Sequence, residues 1–457
     1  MKLSYLALFI FQFAVIAQRC AAQQPVFAQG DSVVFTGNSI TMNGEFHHQI
    51  ALFYATRFPD QKINVFNSGI GGNASADILR RMSYDVLNHR PSWTVLMLGM
   101  NDVNRDLYMP GRVKDAEVRK GEKRQIAIYK KNVLRIIDTL LSVNSRIILQ
   151  TPTIYDQTAV LPALNLKGRN DLLGVYSKFV KRTARRYALQ VIDYRTILTQ
   201  VNKRMQKADR SSTIIGADRV HPGPAGHFVM AYQFLKAINA SRYVSKLTAD
   251  ARSGRVTAAN ADVRPLNPDR GEVHFASLER SLPFPVSNAV SPALRYVPFT
   301  KDFNQQIVKI RHLEKGNYRL LIDSVLIGKF PSDSLSKGIN LALYPATPQY
   351  RQALEVLALY QEYWKAEAEL RSMISMEYNQ LRLRRPVTLA EGKLRYAELL
   401  AQPATDANAY RTLKNLQESY LRLKAREPEL VSRLKTHRNL IYDSNHPSWH
   451  VYHIVRE

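Results

Sequence analysis

Between residue 31 and about residue 245 the chain alternates short β-branched runs with amphipathic stretches, and this alternation constrains the fold more than any other feature. The runs that read as strands are Val33 to Thr36, Ile63 to Asn67, Thr94 to Leu98, Arg146 to Gln150 and Gln190 to Asp193. Helical periodicity occupies about 45 to 58, 75 to 89, 123 to 143, 172 to 188 and 224 to 239. Strands joined through helices return to their sheet as parallel neighbours, because a tight turn can join only antiparallel ones. The expected class is therefore α/β, a parallel sheet with helices on both faces. Such sheets bind ligands beyond the carboxyl ends of their strands, so the residues following each strand are where chemistry is to be sought.

Past residue 246 the texture changes. A Pro-containing irregular stretch runs from Asn260 to Pro298. Residues 307 to 330 then read as a β-meander: Ile307, Val308 and Ile310, a turn at Lys315-Gly316-Asn317, then Tyr318 to Ile322 and Val325 to Phe330. From Thr347 the pattern is helical, with Leu354, Leu357, Tyr360, Trp364, Leu370 and Met373 on one apolar face. Pro386 and Pro403 interrupt it, and a second helix over about 406 to 438 completes an expected antiparallel hairpin. The division expected is a signal segment over 1–22, an alternating unit over 23–247, an irregular β-rich segment over 248–345 and a helical extension over 346–457. The extension is expected to pack on the alternating unit, since no Gly/Ser linker separates them.

Residues 1 to 22 comprise Met1-Lys2, a mostly apolar run from Leu3 to Ala17 and the tail Gln18-Arg19-Cys20-Ala21-Ala22. The run is too short for a comfortable span and ends in small residues, which predicts a secretory signal cut near Ala22 and a secreted or periplasmic chain. No later run is apolar enough to cross a membrane. Cys20 is the single cysteine and would leave with the signal, so neither disulfides nor thiolate chemistry are expected. With 64 Lys and Arg against 38 Asp and Glu, a net charge of +26 favours anionic surfaces without naming one. Nucleic acid is not expected: no recognition motif is present, and a secretory signal removes access.

Four blocks stand at strand ends. The first strand runs into Thr36-Gly37-Asn38-Ser39-Ile40-Thr41, where a serine hydroxyl can face a pocket beside helix-end amides; a capping serine is the plainer reading. After the second strand, Asn67-Ser68-Gly69-Ile70-Gly71-Gly72-Asn73 frees backbone amides to approach a ligand, or simply makes a tight turn. After the third, Leu98-Gly99-Met100-Asn101-Asp102 offers a side-chain amide suited to a developing oxyanion, or an ordinary turn. Near the end of the alternating region, Asp218-Arg219-Val220-His221-Pro222-Gly223 can fold a carboxylate back onto an imidazole.

Taken together and in this order, the four blocks resemble the GDSL, or SGNH, hydrolase superfamily over about residues 31 to 240. The resemblance implies a flavodoxin-like three-layer αβα sandwich and a serine ester hydrolase needing no metal or organic cofactor. It assigns Ser39 as nucleophile, His221 as general base and Asp218 as its orienting carboxylate. The oxyanion hole falls on the Ser39 and Gly72 amides and the Asn101 side chain, with Gly71 the nearest competitor to Gly72. One departure is Asn38, where the family usually has Asp. The run from Asn43 through His48 into Tyr54 to Pro59, together with Lys337-Gly338-Ile339-Asn340-Leu341-Ala342, resembles secreted bacterial members that carry a C-terminal extension and deacylate carbohydrates. A small acyl group, most of all acetyl, on a saccharide is therefore the expected substrate. A lysophospholipase or general acyl esterase, and a non-catalytic glycan-binding or scaffold protein, are the competing readings.

His47 and His48 lack a metal-ligand spacing and are expected to be one exposed and one packed residue. Lys178, Lys181, Arg182, Arg185 and Arg186 share one helix face opposite Tyr176, Phe179, Val180, Ala184 and Tyr187. That stripe is either a solvated face or a docking strip for an anionic polymer or envelope. Residues 101 to 123 are polar and basic, as suits a rim or lid over the strand ends.

Overall fold

The computed structural model describes residues 25–266, 272–402 and 406–457; the expected signal segment with Cys20, and Pro403, lie outside the described residues. Five strands, β1 Ser32–Gly37, β2 Asn64–Gly69, β3 Trp93–Met97, β4 Arg146–Gln150 and β5 Gln190–Ile192, form an all-parallel sheet in the order β2-β1-β3-β4-β5. This is the strand order of flavodoxin-like doubly wound sheets. Its direction reverses between β1 and β3, and Gly37 stands level with Gly69, so the loops leaving the first three strands emerge side by side.

The helices between them are α1 Ser39–Met42, α2 Glu45–Arg57, α3 Ser75–Arg81, α4 Ala116–Ser142, α5 Arg169–Arg186, α6 Tyr194–Ala208 and α7 Pro224–Ala237. Three differ from the sequence reading. The expected helix over 75 to 89 is α3 followed by a π turn at Met82–Val86 and a 3-10 turn at Leu87–His89. Helix α4 starts before the expected residue 123, because Asp115 caps it by accepting from the Val118 N–H at 2.8 Å. Helix α6, capped by Asp193, is absent from the sequence reading.

Two more sheets follow. Strands β6 Tyr243–Asp250, β7 Val256–Ala259, β8 Ala261–Pro265 and β9 Val273–Glu279 precede the short helix α8 Phe299–Phe303; then come β10 Gln305–Arg311, β11 Asn317–Ile322, β12 Val325–Pro331, helix α9 Ser332–Lys337 and β13 Ile339–Asn340. The expected meander over 307 to 330 is corrected. Strand β10 lies parallel to β6, Val308 beside Leu247, and only β11 and β12 form a hairpin. Alternation reveals strands but not partners, and residues 312–316 carry the chain from one sheet to the other. The Lys337 to Ala342 run is a joint: Asn340 accepts from the Gln306 N–H at 2.8 Å and donates to the Asn304 carbonyl at 3.0 Å.

The helical extension holds four helices rather than a hairpin: α10 Pro348–Asn379, α11 Leu389–Leu400, α12 Ala407–Ala425 and α13 Glu427–Ser444. The expected helix over 406 to 438 breaks at Arg426, with Pro428 opening α13, where its missing N–H costs nothing. The chain ends in β14 His450–Arg456, which inserts between β11 and β9. Leu247, Phe275, Val308, Leu320 and Tyr452 meet in one core between the two sheets. The core of the parallel sheet takes in Ala353, Val356, Leu357 and Tyr360 of α10 and Ile441 of α13, so the extension shares it.

Candidate active site

Ser39 is the first residue of α1, directly beyond β1. Asn38 caps that helix by accepting from the Ile40 N–H at 3.1 Å. The carbonyl of an asparagine serves this purpose as a carboxylate would, so the turn holding Ser39 is fixed despite the departure from Asp. Gly37 has no room for a side chain: a Cβ would come within 2.2 Å of Thr41 Oγ1.

His221 reaches Ser39 from the far end of the alternating unit, its Nε2 lying 2.7 Å from Ser39 Oγ. Its Nδ1 lies 2.5 Å from Asp218 Oδ2, while Asp218 Oδ1 accepts the backbone N–H groups of Val220 at 2.9 Å and His221 at 3.0 Å. Burial pushes the Asp218 carboxyl up, but the hydrogen bonds from the His221 ring and these amides outweigh it and leave the group below its ordinary value. The loop is held from behind by Arg219, a buried residue whose φ of 67° is unusual for a side-chain-bearing residue. Its guanidinium donates to the carbonyls of Asp156, Ala159, Leu161 and Ala163 at 2.9–3.0 Å.

Two groups frame the opposite side. Asn101 Nδ2 donates one hydrogen to the Asn73 carbonyl at 3.1 Å, which leaves the second free to point elsewhere. Gly72 has a φ of 78°, and its N–H has no partner among the described residues. The Gly71 N–H, in contrast, faces Met42 Sδ at 3.3 Å. Beside these two groups opens a cleft of about 530 Å³, lined among others by Gly72, Asn101, Asn104, Arg105 and Gln125 but not by Ser39 or His221. The expected rim over residues 101 to 123 thus supplies part of its wall. Asp102 lies in the same wall, accepts from the Ser75 N–H at 2.9 Å through Oδ1, and has no partner for Oδ2 among the described residues. Burial pushes its carboxyl up to about 6, against lowering hydrogen bonds from Ser75 and Gly99.

Beneath the glycine loop lies a buried charged network that sequence reasoning missed. Arg81 donates to the Gly37 and Ser68 carbonyls at 2.9 and 3.0 Å and pairs with Asp85. Arg371, from α10, pairs with the same carboxylate at 2.6 Å and donates to the Gly69 carbonyl at 2.7 Å. Nothing local in the sequence links residues about 300 positions apart.

The His47 and His48 expectation is corrected: both are buried, with relative exposures of 0% and 9%. Glu367 of α10 lies beside them, and one ligand atom from each of the three falls within 4.8 Å of the others, the one such group among the described residues able to hold a metal. Two members already satisfy each other, His48 Nε2 and Glu367 Oε2 at 2.7 Å, with Asn67 Nδ2 at 3.3 Å from the same oxygen. Glu367, through His48 and Asn67, therefore ties α10 to α2 and β2, while neither ring nitrogen of His47 has a hydrogen-bond partner among the described residues. Burial, then the nearby His48, pushes the His47 ring down to about 3, so it stays neutral at working pH. Of the basic stripe, Lys178, Arg182, Arg185 and Arg186 are exposed, while Lys181 is engaged by Asp193.

The doubly wound sheet and the groups gathered at its carboxyl edge define a serine ester hydrolase of the α/β class. Residues 28–228 match the GDSL-like lipase/acylhydrolase family. The chain is 27% identical over 225 residues to an acetylxylan esterase from Geobacillus stearothermophilus, covering 46% of this chain and 94% of that protein. It is also similar to the solved structure of a gut microbial diltiazem-metabolizing enzyme, 26% identical with a TM-score of 0.84, over 95% of this chain and 99% of the other. That likeness takes in the C-terminal sheets and helices as well as the parallel sheet. Residues 28–228 thus carry the GDSL/SGNH hydrolase fold and family signature. Among the described residues no helix is long and apolar enough to cross a membrane.

Proposed function

We propose that this chain is a secreted carbohydrate O-acyl esterase that removes small acyl groups, most of all acetyl, through Ser39, His221 and Asp218. The observation that carries the reading is the continuous line from Ser39 Oγ through the His221 ring to Asp218, at 2.7 and 2.5 Å. A scaffold protein has no need of such a line.

In this mechanism Ser39 Oγ attacks the ester carbonyl while His221 Nε2 takes its proton, and Asp218 holds the ring through Nδ1 and stabilises the imidazolium. The carbonyl oxygen gains charge towards the Ser39 N–H, the Gly72 N–H and Asn101 Nδ2. His221 returns the proton to the leaving alcohol, and an acyl-serine remains. Water repeats the sequence, releasing the acid and restoring Ser39. The free Gly72 N–H, set against a Gly71 N–H facing Met42, supports Gly72 as the backbone donor.

The acetyl and saccharide parts rest on likeness to the acetylxylan esterase. Export rests on the composition of residues 1–22. The test is acetate release from a panel of acetylated neutral and acidic polysaccharides, beside 4-nitrophenyl acetate and octanoate, for wild type and Ser39→Ala. Release from one polymer, lost in Ser39→Ala, is the expected result. Activity confined to octanoate supports the lysophospholipase or general acyl esterase instead, and silence everywhere supports the scaffold.

A further inference from the structure

Helix α10 runs alongside β2 and reaches the glycine loop that follows it. Tyr363 OH donates to the Val65 carbonyl at 3.3 Å, and Glu367 meets Asn67 at 3.3 Å. Further along, Arg371 donates to the Gly69 carbonyl through Nη2 at 2.7 Å and Nε at 3.2 Å. At the last helical residue, Asn379 Nδ2 donates to the Gly71 carbonyl at 3.1 Å, with Ser375 Oγ at 3.2 Å.

The last contact matters most. The Gly71 C=O and the Gly72 N–H belong to a single planar peptide unit, in which carbonyl and N–H point in opposite directions. Whatever holds the carbonyl therefore aims the N–H. Gly72 has no side chain to anchor it and is exposed, so the orientation of this peptide must be imposed from outside. Arg371 fixes the peptide at the other end of the loop in the same way: its target is the Gly69 carbonyl, while the next N–H, of Ile70, donates to the Gly37 carbonyl at 3.3 Å.

We infer that α10 is a working part of the active site, with Asn379 a positioning residue that aims the Gly72 N–H at the oxyanion and Arg371 the anchor of the loop that carries it. The inference rests on the esterase reading above and assigns the C-terminal extension a part in the chemistry. A carboxyl-terminal helix in this role makes catalysis depend on residues far outside the alternating unit.

The experiment compares wild type, Ser39→Ala, Asn379→Ala and Asn379→Asp on 4-nitrophenyl acetate, with thermal unfolding measured for each. A misaimed donor should lower kcat on the order of 10-fold or more in both Asn379 variants, with KM within about 2-fold and Tm nearly unchanged, because the interaction is made in the transition state. Asn379→Asp keeps the side-chain shape but cannot donate, so it carries the test if Asn379→Ala fails to fold. Asn379→Gln, which restores a donor, should regain part of the rate. A kcat equal to that of wild type in Asn379→Asp, or a change confined to KM, overturns the positioning role while leaving the esterase reading intact. Wild type no faster than Ser39→Ala overturns the esterase reading and the positioning role with it.

Discussion

Arg371 and Asp85, 286 positions apart, form a two-pronged ion pair inside the protein, Nη1 to Oδ1 at 2.6 Å and Nη2 to Oδ2 at 3.1 Å, each side chain only 4% exposed. Arg81 completes it from the other side. Burial pushes the Asp85 carboxyl up, but Arg371 and Arg81 together hold it below its ordinary value. Removing the one carboxylate strands two guanidiniums, whereas removing one guanidinium leaves Asp85 a partner. Asp85→Asn should therefore cost about 3–5 kcal/mol of folding stability, and Arg371→Met clearly less. Urea unfolding of both variants checks the order, and equal losses contradict it.

The glycine loop provides a steric contrast. At Gly72 a Cβ would meet nothing within 4 Å, so Gly72→Ala bears only the backbone cost of a φ of 78°, roughly 1–2 kcal/mol. A Cβ on Gly69 would come within 2.1 Å of the Met42 N, in the backbone that follows Ser39. Gly69→Ala must therefore displace that segment. We expect Gly72→Ala to fold with reduced kcat and Gly69→Ala to lose both stability and Ser39 labelling by a serine-directed phosphonate.

Asn101 is predicted to contribute to turnover rather than to folding. Its free amide hydrogen is the side-chain donor of the proposed oxyanion hole, so Asn101→Ala should lower kcat on the order of 100-fold with KM little changed. Stopped-flow or steady-state assay on a soluble acetyl ester reads this directly. A loss confined to KM would place Asn101 in substrate binding instead.

Much of this site lay open in the sequence because its parts are local. Ser39, Gly72, Asn101 and the Asp218 to His221 loop each follow a strand or precede a helix, and the alternation that predicts the parallel sheet also predicts that such loops gather at one edge. What the sequence could not show depends on partners. The apolar stripe of α10 announces a buried helix but not that Arg371 and Asn379 on it would meet the loop after β2. The strand character of β10 was legible, and its pairing with β6 was not, since alternation is the same whichever neighbour supplies the hydrogen bonds. Asp193 and Asp115 are the caps that would have marked α6 and the true start of α4.

Asp102 carries a pH prediction. Its folded value is raised to about 6 by burial, above that of the unfolded chain, so the folded state keeps this proton longer. Stability is then highest below about pH 4, declines as pH rises towards about 6, and stays lowered above it, by roughly 2–3 kcal/mol from this group. Asp102→Asn keeps an oxygen for the Ser75 N–H and cannot ionise. The variant should therefore gain stability over wild type as pH rises from 4 to 7, and parallel Tm curves for the two proteins would contradict the assignment.

The last prediction concerns whether the alternating unit stands alone. Helix α2 is buried at eleven of its thirteen residues, Phe46 to His48 and Ile50 to Arg57, and so lacks the polar face of a surface helix. One side packs on α7; another is covered by α10, where Tyr360 OH donates to the Ala51 carbonyl at 3.2 Å and Trp364 stacks on His48 at 4.7 Å. Asn445 caps the end of this region through the Ala55 carbonyl at 2.8 Å. Residues 25–241 expressed alone, ending before β6, would expose this apolar strip and leave Arg81 and Asp85 without Arg371. We expect that fragment to be aggregated or to bind a hydrophobic dye strongly, and co-expression with residues 242–457 to restore a soluble complex. A monomeric, cooperatively melting fragment that retains esterase activity would show that α10 is dispensable for both the fold and the chemistry.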